Sequence, residues 1–372
     1  EESAFGEDES ASEEQTKPAE EEPEQPAAAS AARPVLLAAA NDIAVHSGDT
    51  HTPHNICGDA NCPDHGGKDA SWIAISSLSD LQYVGSNEGT GEPAAQDTIY
   101  YCFLTTEITT PSYGFTFYNA KNVVLCLNGH SITGPDENVP VITVEAGKTF
   151  TLCDCGGEGQ IIQQTASTNS GGNKGGVKVD GGTFNMHDGS ITNNNAGATG
   201  CKGGGVFVDN GGTFNMSGGS ISGNNAATTT HSASGKGGGV YVKNGTFNMT
   251  GGTICGNTAN NSATSGNGGG VYVESGTFTV SGSANISGNK VGATSAEATA
   301  ANNVFLAGSS QTIKVGGNLN DGARIGVVAS NGAVVAVPAT GSNVTLTTDD
   351  AAKFVSDSDG SYRGTLNGDG NV

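Results

Sequence analysis

"GGGVYVKNGTFNMTGGTICGN" runs from Gly237 to Asn257, and near-copies of it begin at Gly175, Gly203 and Gly268. Aligning the copies on Phe184, Phe214, Phe247 and Phe278 puts Met186, Met216, Met249 and Val280 two residues further on. Upstream stand the pairs Val177/Val179, Val206/Val208, Val240/Val242 and Val271/Val273; downstream come Ile191, Ile221, Ile254 and Ile286. Apolar positions that alternate with period two belong to strands, not helices. Each copy holds two such segments and a third with one apolar anchor, separated by Gly- or Asn-containing turns. Three short strands and their corners predict one rung of a parallel β-helix.

One rung cannot fold alone. It buries about five apolar side chains, each worth roughly 1.5–3 kcal/mol. Ordering its twenty-odd residues costs about 1–2 kcal/mol apiece in backbone entropy. Stacking lets every strand bond to the strands above and below and makes the core continuous. Asn194, Asn224, Asn257 and Asn289 recur three residues after the anchor Ile. Asn tolerates left-handed backbone and bonds locally, so these positions predict a stacked amide ladder at a bend.

The pattern extends beyond the four copies. Val141 to Ile161 places Val144, Phe150, Leu152 and Ile161 in the anchor roles, and Asn122 to Gly134 supplies Val123, Leu125, Leu127 and Ile132. Thr98 to Ile108 reads as an earlier, less regular rung, and Asn303 to Val315 begins a later one. The expected organisation is a disordered acidic spacer over 1–45, a His/Cys-containing segment and cap over 46–97, the β-helix over 98–330, and a strand-rich cap over 331–372. The spacer carries twelve acids against Lys17 and Arg33 and almost no aromatic residue, so it cannot bury enough surface to order itself.

Composition excludes several functions. The 372 residues include 59 Gly, only 14% are charged and 6% aromatic, and the net charge is −22. A polyanion repels nucleic acid and anionic lipid, so neither is an expected partner. The longest apolar tract, Val35 to Ala40, is far short of the roughly 18–20 residues that span a bilayer, which argues against membrane insertion. The first residue is Glu, which suggests a processed chain. Eight cysteines, an even number, fit export to an oxidising compartment.

"LCLNGHSITG", "VITVEAGKTFTLCDC" and the repeated "GTFNM" rungs resemble secreted bacterial right-handed parallel β-helix proteins of the pectin-lyase-like superfamily, over roughly Thr98 to Val328. The resemblance implies the fold strongly and function weakly. That superfamily includes polysaccharide lyases, glycoside hydrolases and adhesin passenger domains, and fold does not choose among them. Its lyases use a Ca²⁺ site of several acids beside an Arg or Lys base. No Arg lies between Arg33 and Arg324, and the rungs carry no dense Asp cluster.

Chemistry must therefore come from outward-facing residues. Between the inward valines of the first strand, one column reads Phe207, Tyr241, Tyr272 and Phe305 on four successive rungs. These rings are expected either to pack on one another beneath the corner inserts or to form a platform for sugar rings or a protein partner. Beside them, Asp209, Lys243 and Glu274 offer polar contacts. Glu145, Asp180 and Asp209 follow one another on successive rungs. Crowded carboxylates raise their own pKa or recruit Ca²⁺, and a one-rung separation is near the spacing a retaining glycosidase needs. Lys178 and Lys243 are close enough in sequence to neutralise the column.

His51, His54, Cys57, Cys62 and His65 form the other candidate site, either a Zn²⁺ centre or a local Cys57–Cys62 disulfide. Cys126 and Cys153 each follow an inward Leu on consecutive rungs, within disulfide reach, with Cys155 competing for the same partner. Cys102, Cys201 and Cys255 have no partner that the sequence identifies. The expected function is a secreted or cell-surface, non-catalytic adhesin or recognition module for a glycan or for a host or bacterial surface protein. The alternatives are a carbohydrate-active enzyme working through the acidic column and a purely structural stalk.

Overall fold

A computed structural model of the chain describes residues 43–44, 54–55, 73–82, 84, 99–111, 113–118, 120–134, 139–163, 175–196, 201–226, 235–260, 268–292, 299–308, 311–328, 333–357 and 363–372. Their architecture is the expected all-β parallel solenoid. The first strands (Ile142–Glu145, Val177–Asp180, Val206–Asp209, Val240–Val242, Val271–Val273 and Val304–Leu306) pair in parallel, rung upon rung. The second strands, among them Thr149–Cys153, Thr183–Met186, Thr213–Met216, Gly245–Met249 and Gly276–Gly282, belong to one ten-stranded sheet. The third strands stack likewise, with Ile161, Ile191, Ile221, Ile254 and Ile286 in one register. Arg324–Val327 pairs with both the first- and third-strand columns and joins them at the C-terminal end. A further small column, Asn225–Ala226, Thr258–Asn260 and Lys290–Gly292, forms where the corner inserts leave the rung.

The core is a set of columns. Each inward Val, Phe, Met and Ile of the repeat is at most 1% exposed. Phe150, Phe184, Phe214, Phe247 and Phe278 stack face to face at 5.4, 5.0, 4.8 and 4.9 Å between centroids, all within 9° of parallel. Rung height sets that spacing, since parallel strands lie about 4.8 Å apart.

The amide ladder is present and directional. The backbone N–H and Nδ2 of Asn194 both donate to Asn224 Oδ1, at 3.1 and 2.9 Å. The same pair of bonds repeats from Asn224 to Asn257, from Asn257 to Asn289 and from Asn289 to Asn303. Each Nδ2 also donates to the Ile carbonyl one rung back, as Asn257 does to Ile221 at 2.8 Å. The left-handed position at this bend is the residue before the ladder: Asn193 (φ 53°), Gly223 (64°), Gly256 (64°) and Gly288 (71°). The ladder Asn is retained for its amide, not for its backbone freedom.

The Gly triplet has the same cause. Gly237 has φ 64°, and a Cβ there would lie 2.4 Å from Val240 O. A Cβ on Gly238 would lie 2.4 Å from the Gly269 carbonyl of the next rung, and one on Gly239 only 3.0 Å from Asn257 Nδ2. The triplet lets the backbone pass flush against the ladder.

The second sheet starts earlier than residue 98, because Ile73–Ile75 already pairs with Ile99–Leu104. At the other end Ala336–Pro338 extends the second sheet and Phe354–Ser356 pairs with Arg324–Val327. Between them Thr348–Ala352 is a helix, closed by a capping box of Thr347 and Asp350. Asp357 then accepts from the Asn303 N–H and Nδ2, both at 2.6 Å, and ends the ladder.

Replacing Asn257 by Ala strands the donors of Asn224 and the carbonyl of Ile221. We expect a loss of about 3 kcal/mol or more, from buried groups at roughly 1–3 kcal/mol each. Phe247→Ala should cost about 3–5 kcal/mol. Asn248→Ala, in the half-exposed ladder of the second sheet, should cost well under half of either. Denaturant midpoints measure all three; equal losses at Asn257 and Asn248 contradict the assignment of the buried ladder as the stronger constraint.

Candidate functional site

The aromatic column is not an open platform. Phe207 is 3% exposed, Tyr241 0% and Tyr272 5%, and only Phe305 is partly open. The rings lie outside the main core yet form a small core of their own, with centroids 5.3–5.4 Å apart. Part of their cover comes from the described ends of two corner inserts. Lys202 Nζ lies 5.3 Å from the Tyr241 ring centre and Lys236 Nζ 4.9 Å from that of Tyr272. The sequence "KGGG" thus has two uses: the Lys lies over a ring of the next rung, and the Gly triplet carries the chain under it. Between the two original possibilities, packing beneath the inserts prevails. Tyr241 Oη is buried without a hydrogen-bond partner among the described residues, so the ring is held by stacking and cation–π contact.

The acidic column is in register, Glu145 beside Asp180 and Asp180 beside Asp209, but its carboxylates are individually satisfied. Lys178 Nζ lies 2.7 Å from Asp180 Oδ2, and Asn210 Nδ2 donates to Asp180 Oδ1 at 2.6 Å. Burial pushes this carboxyl up, but the bonds from Lys178 and Asn210 outweigh it and hold the pKa below the ordinary value. That is the reverse of what a shared proton between crowded acids requires. Asp209 accepts from the Asn210 N–H at 2.8 Å and meets Lys243 Nζ at 3.7 Å, while Glu145 is exposed. Glu274 Oε2 is buried and has no partner among the described residues. Among the described residues, no three His, Cys, Asp or Glu side chains group closely enough to hold a metal ion, so the column does not converge on a Ca²⁺ site.

His51, Cys57, Cys62 and His65, proposed from the sequence as a Zn²⁺ centre or local disulfide, lie outside the described residues. Of His54 only the backbone is described, paired with Ala44. Cys126 and Cys153 are in register on adjacent strands, as expected, and the Cys155 sulfur lies 3.1 Å from that of Cys126.

Two features of the second sheet were not singled out in the sequence. The first is a pair: His187 Nδ1 and Ser217 Oγ lie 2.6 Å apart, one rung from each other. Burial alone pushes the His187 pKa down to about 4, so the ring is neutral at neutral pH. Its Nε2 is buried with no partner among the described residues, so no carboxylate orients the ring as a hydrolytic triad requires. The second is a polar lattice. Thr183, Asn185 and His187 point outward on one rung, followed by Thr213, Asn215 and Ser217, then Thr246, Asn248 and Thr250, then Thr277, Thr279 and Ser281; all are partly or fully exposed. Its central column is rigid, because Asn248 Nδ2 donates to Asn215, Asn215 to Asn185 and Asn185 to Thr151, at 2.8–3.1 Å. The alternating "TFNM" pattern carried this signal, with Phe and Met inward and Thr and Asn outward.

Comparison with protein-family models, with curated proteins and with solved structures gave no match. Among the described residues no helix is long and apolar enough to cross a membrane.

The depressed His187 pKa sets a pH dependence. The unfolded chain binds a proton near pH 6.5, while the folded ring does so only near pH 4. The stabilisation is therefore complete above about pH 6.5 and is lost as pH falls toward about 4. Replacing His187 by Gln should flatten that part of the curve. Unfolding midpoints measured across this window test it, and identical slopes in both proteins contradict the depressed pKa of this half-buried ring.

Proposed function

We propose that the chain is a secreted or cell-surface, non-catalytic recognition module, related in fold and role to the adhesin-like members of the pectin-lyase-like superfamily. Its ligand is an extended, uncharged glycan. The observation that carries this is the polar lattice of the second sheet. It repeats hydroxyl and amide groups about every 4.8 Å along the solenoid and about 6.6 Å across it. A polymer with its own repeat meets the same groups at each step, and the rungs hold them without further ordering, which lowers the entropic cost of binding. The hydroxyls of Thr183, Thr213, Thr246 and Thr277 take no hydrogen bond from any described residue, so they remain open to a ligand. The net charge of −22 disfavours polyanionic partners.

Lysine pairing of the acidic column argues against the glycosidase alternative, which needs one carboxyl with a raised pKa. The buried aromatic strip argues against ring stacking as the mode of contact. Binding on this proposal runs through hydrogen bonds along the flat face.

Screening the protein against an array of neutral and acidic glycans tests the reading. A neutral, linear glycan should bind. The variant Thr277→Glu, at an exposed position of the same column, should weaken it several-fold, with the unfolding midpoint little changed, since exposed substitutions typically shift stability by about 0.5 kcal/mol or less. If a glycan binds both proteins equally, the site lies elsewhere. If no glycan or surface protein binds, the stalk reading replaces this one.

A further inference from the structure

Cys126, Cys153 and Cys155 meet at one corner near the N-terminal end of the solenoid, with Phe103 and Val124 packed beside them. Strand register alone favours Cys126 and Cys153, which face each other on Asn122–Cys126 and Thr149–Cys153. Register, however, is a poor geometry for a disulfide. Side chains in one column of a parallel sheet leave their strands side by side, about 4.8 Å apart. A disulfide needs Cβ atoms at about 3.5–4.5 Å, with the two S–C bonds crossed near a right angle. The Cys153 sulfur lies 3.6 Å from the Leu125 carbonyl and also contacts the Cys126 sulfur, so it competes with Cys155 for the same partner.

Cys155 approaches from a different direction. It follows the strand end, where two turns dock against each other. Asn128 (φ 54°) and Gly129 (φ 78°) form the turn of the lower rung. Asp154, only 5% exposed, gathers the N–H groups of Gly129, Gly156 and Gly159 at 2.7, 3.3 and 2.6 Å. A Cβ on Gly156 would lie 2.3 Å from Gly129 N, so the two turns are in direct backbone contact. This docking brings the Cys155 sulfur to 3.1 Å from that of Cys126 and the Cys155 N–H to 3.4 Å from the same sulfur. Asn128 fastens the corner further, donating to the Leu104 carbonyl at 2.9 Å.

We propose that Cys126 and Cys155 are a disulfide-forming pair, and that Cys153 is a buried third thiol left outside the bond. Cys155 is partly exposed, whereas Cys126 and Cys153 are 0% and 1% exposed. The oxidant, a low-molecular-weight or protein disulfide, is therefore attacked by the Cys155 thiolate. One thiolate of the oxidant leaves, and a mixed disulfide forms on Cys155. The Cys126 thiolate then attacks the Cys155 sulfur and expels the second thiol of the oxidant. Two protein thiols lose two protons and two electrons, and the oxidant's disulfide takes up both as two thiols. The contacting Cys126 sulfur and burial raise the pKa of Cys153 and of Cys155, with Asp154 adding to both. Thiolate is therefore scarce at both, and the greater exposure of Cys155 decides which sulfur the oxidant reaches first. The proposal is independent of the glycan-binding reading, because it concerns a corner on rungs that precede the polar lattice.

The test equilibrates the full chain in a glutathione/glutathione-disulfide buffer, quenches by alkylation and maps peptides without reduction. The expected product is the Cys126–Cys155 peptide, with Cys153 alkylated only after denaturation. Cys153→Ser should leave that cross-link at its parental yield. Cys155→Ser should lose it and leave Cys126 as a thiol. A dominant Cys126–Cys153 peptide in the parent overturns the proposal, as does full alkylation of all three thiols in the native protein. Should Cys155→Ser fail to fold, the parent and Cys153→Ser maps decide alone, since the pairing appears directly in both.

Discussion

Every rung of this chain must present the same backbone, at the same height, to the rung above it. That constraint, one strand spacing of about 4.8 Å, fixes the rest. It brings the core Phe rings to 4.8–5.4 Å, within the range where stacked rings attract. It turns one Asn per rung into a continuous bonded ladder, in which every amide donates both to the rung above and to the one below. It also forbids side chains where the backbone passes the ladder, which is why three Gly precede the first strands that begin at Val206, Val240 and Val271, and two precede Val177. Core, ladder and glycines follow from one spacing.

The outside obeys the same rule, and this limits the chemistry it offers. A functional group repeated on successive rungs finds its nearest neighbours one rung away. Tyr241 meets Tyr272, Asn215 meets Asn248, and Asp180 is held by Lys178 beside it and Asn210 one rung up. Repetition therefore tends to satisfy side chains against one another, in contrast to the orphaned, pKa-shifted groups that mark catalytic clefts. A surface of this kind suits recognition of something that is itself repetitive.

Most of the fold was legible because its signal is periodic. Val240, Val242, Phe247, Met249 and Ile254 announce their burial by spacing alone, and the copies confirm one another. The ladder was legible for the same reason. What the repeat leaves open lies where the chain leaves the period. Phe207, Tyr241 and Tyr272 do point away from the main core, as alternation requires. Lys202 and Lys236, which arrive from inserts of irregular length, lie over the Tyr241 and Tyr272 rings of the next rung. Asn303 and Asp357 continue the ladder from positions outside the repeat, so no alignment of copies reveals them. The acidic column was read correctly as a column. The protonation of Asp180 within it depends on Asn210, which belongs to a turn, and on the direction in which the Lys178 side chain points.

The ladder also explains why the solenoid ends as it does. Each Asn accepts on Oδ1 from the rung before it and donates to the rung after it, so the chain of bonds has a polarity. At its last step Asn303 offers a backbone N–H and an amide N–H and needs acceptors only. A carboxylate has acceptors and no donor, and Asp357 supplies one oxygen to each. Burial pushes the pKa of this carboxyl upward despite the two bonds from Asn303. At the opposite end Asn194 has no Asn below it, and its Oδ1 is buried without a partner among the described residues. The two ends are therefore chemically distinct. Rungs inserted in the middle preserve the ladder, whereas the C-terminal end must supply an acceptor in place of a further Asn. A repeat protein that grows by copying rungs can change its length freely while keeping one cap, and the position of Asp357 marks where that freedom stops.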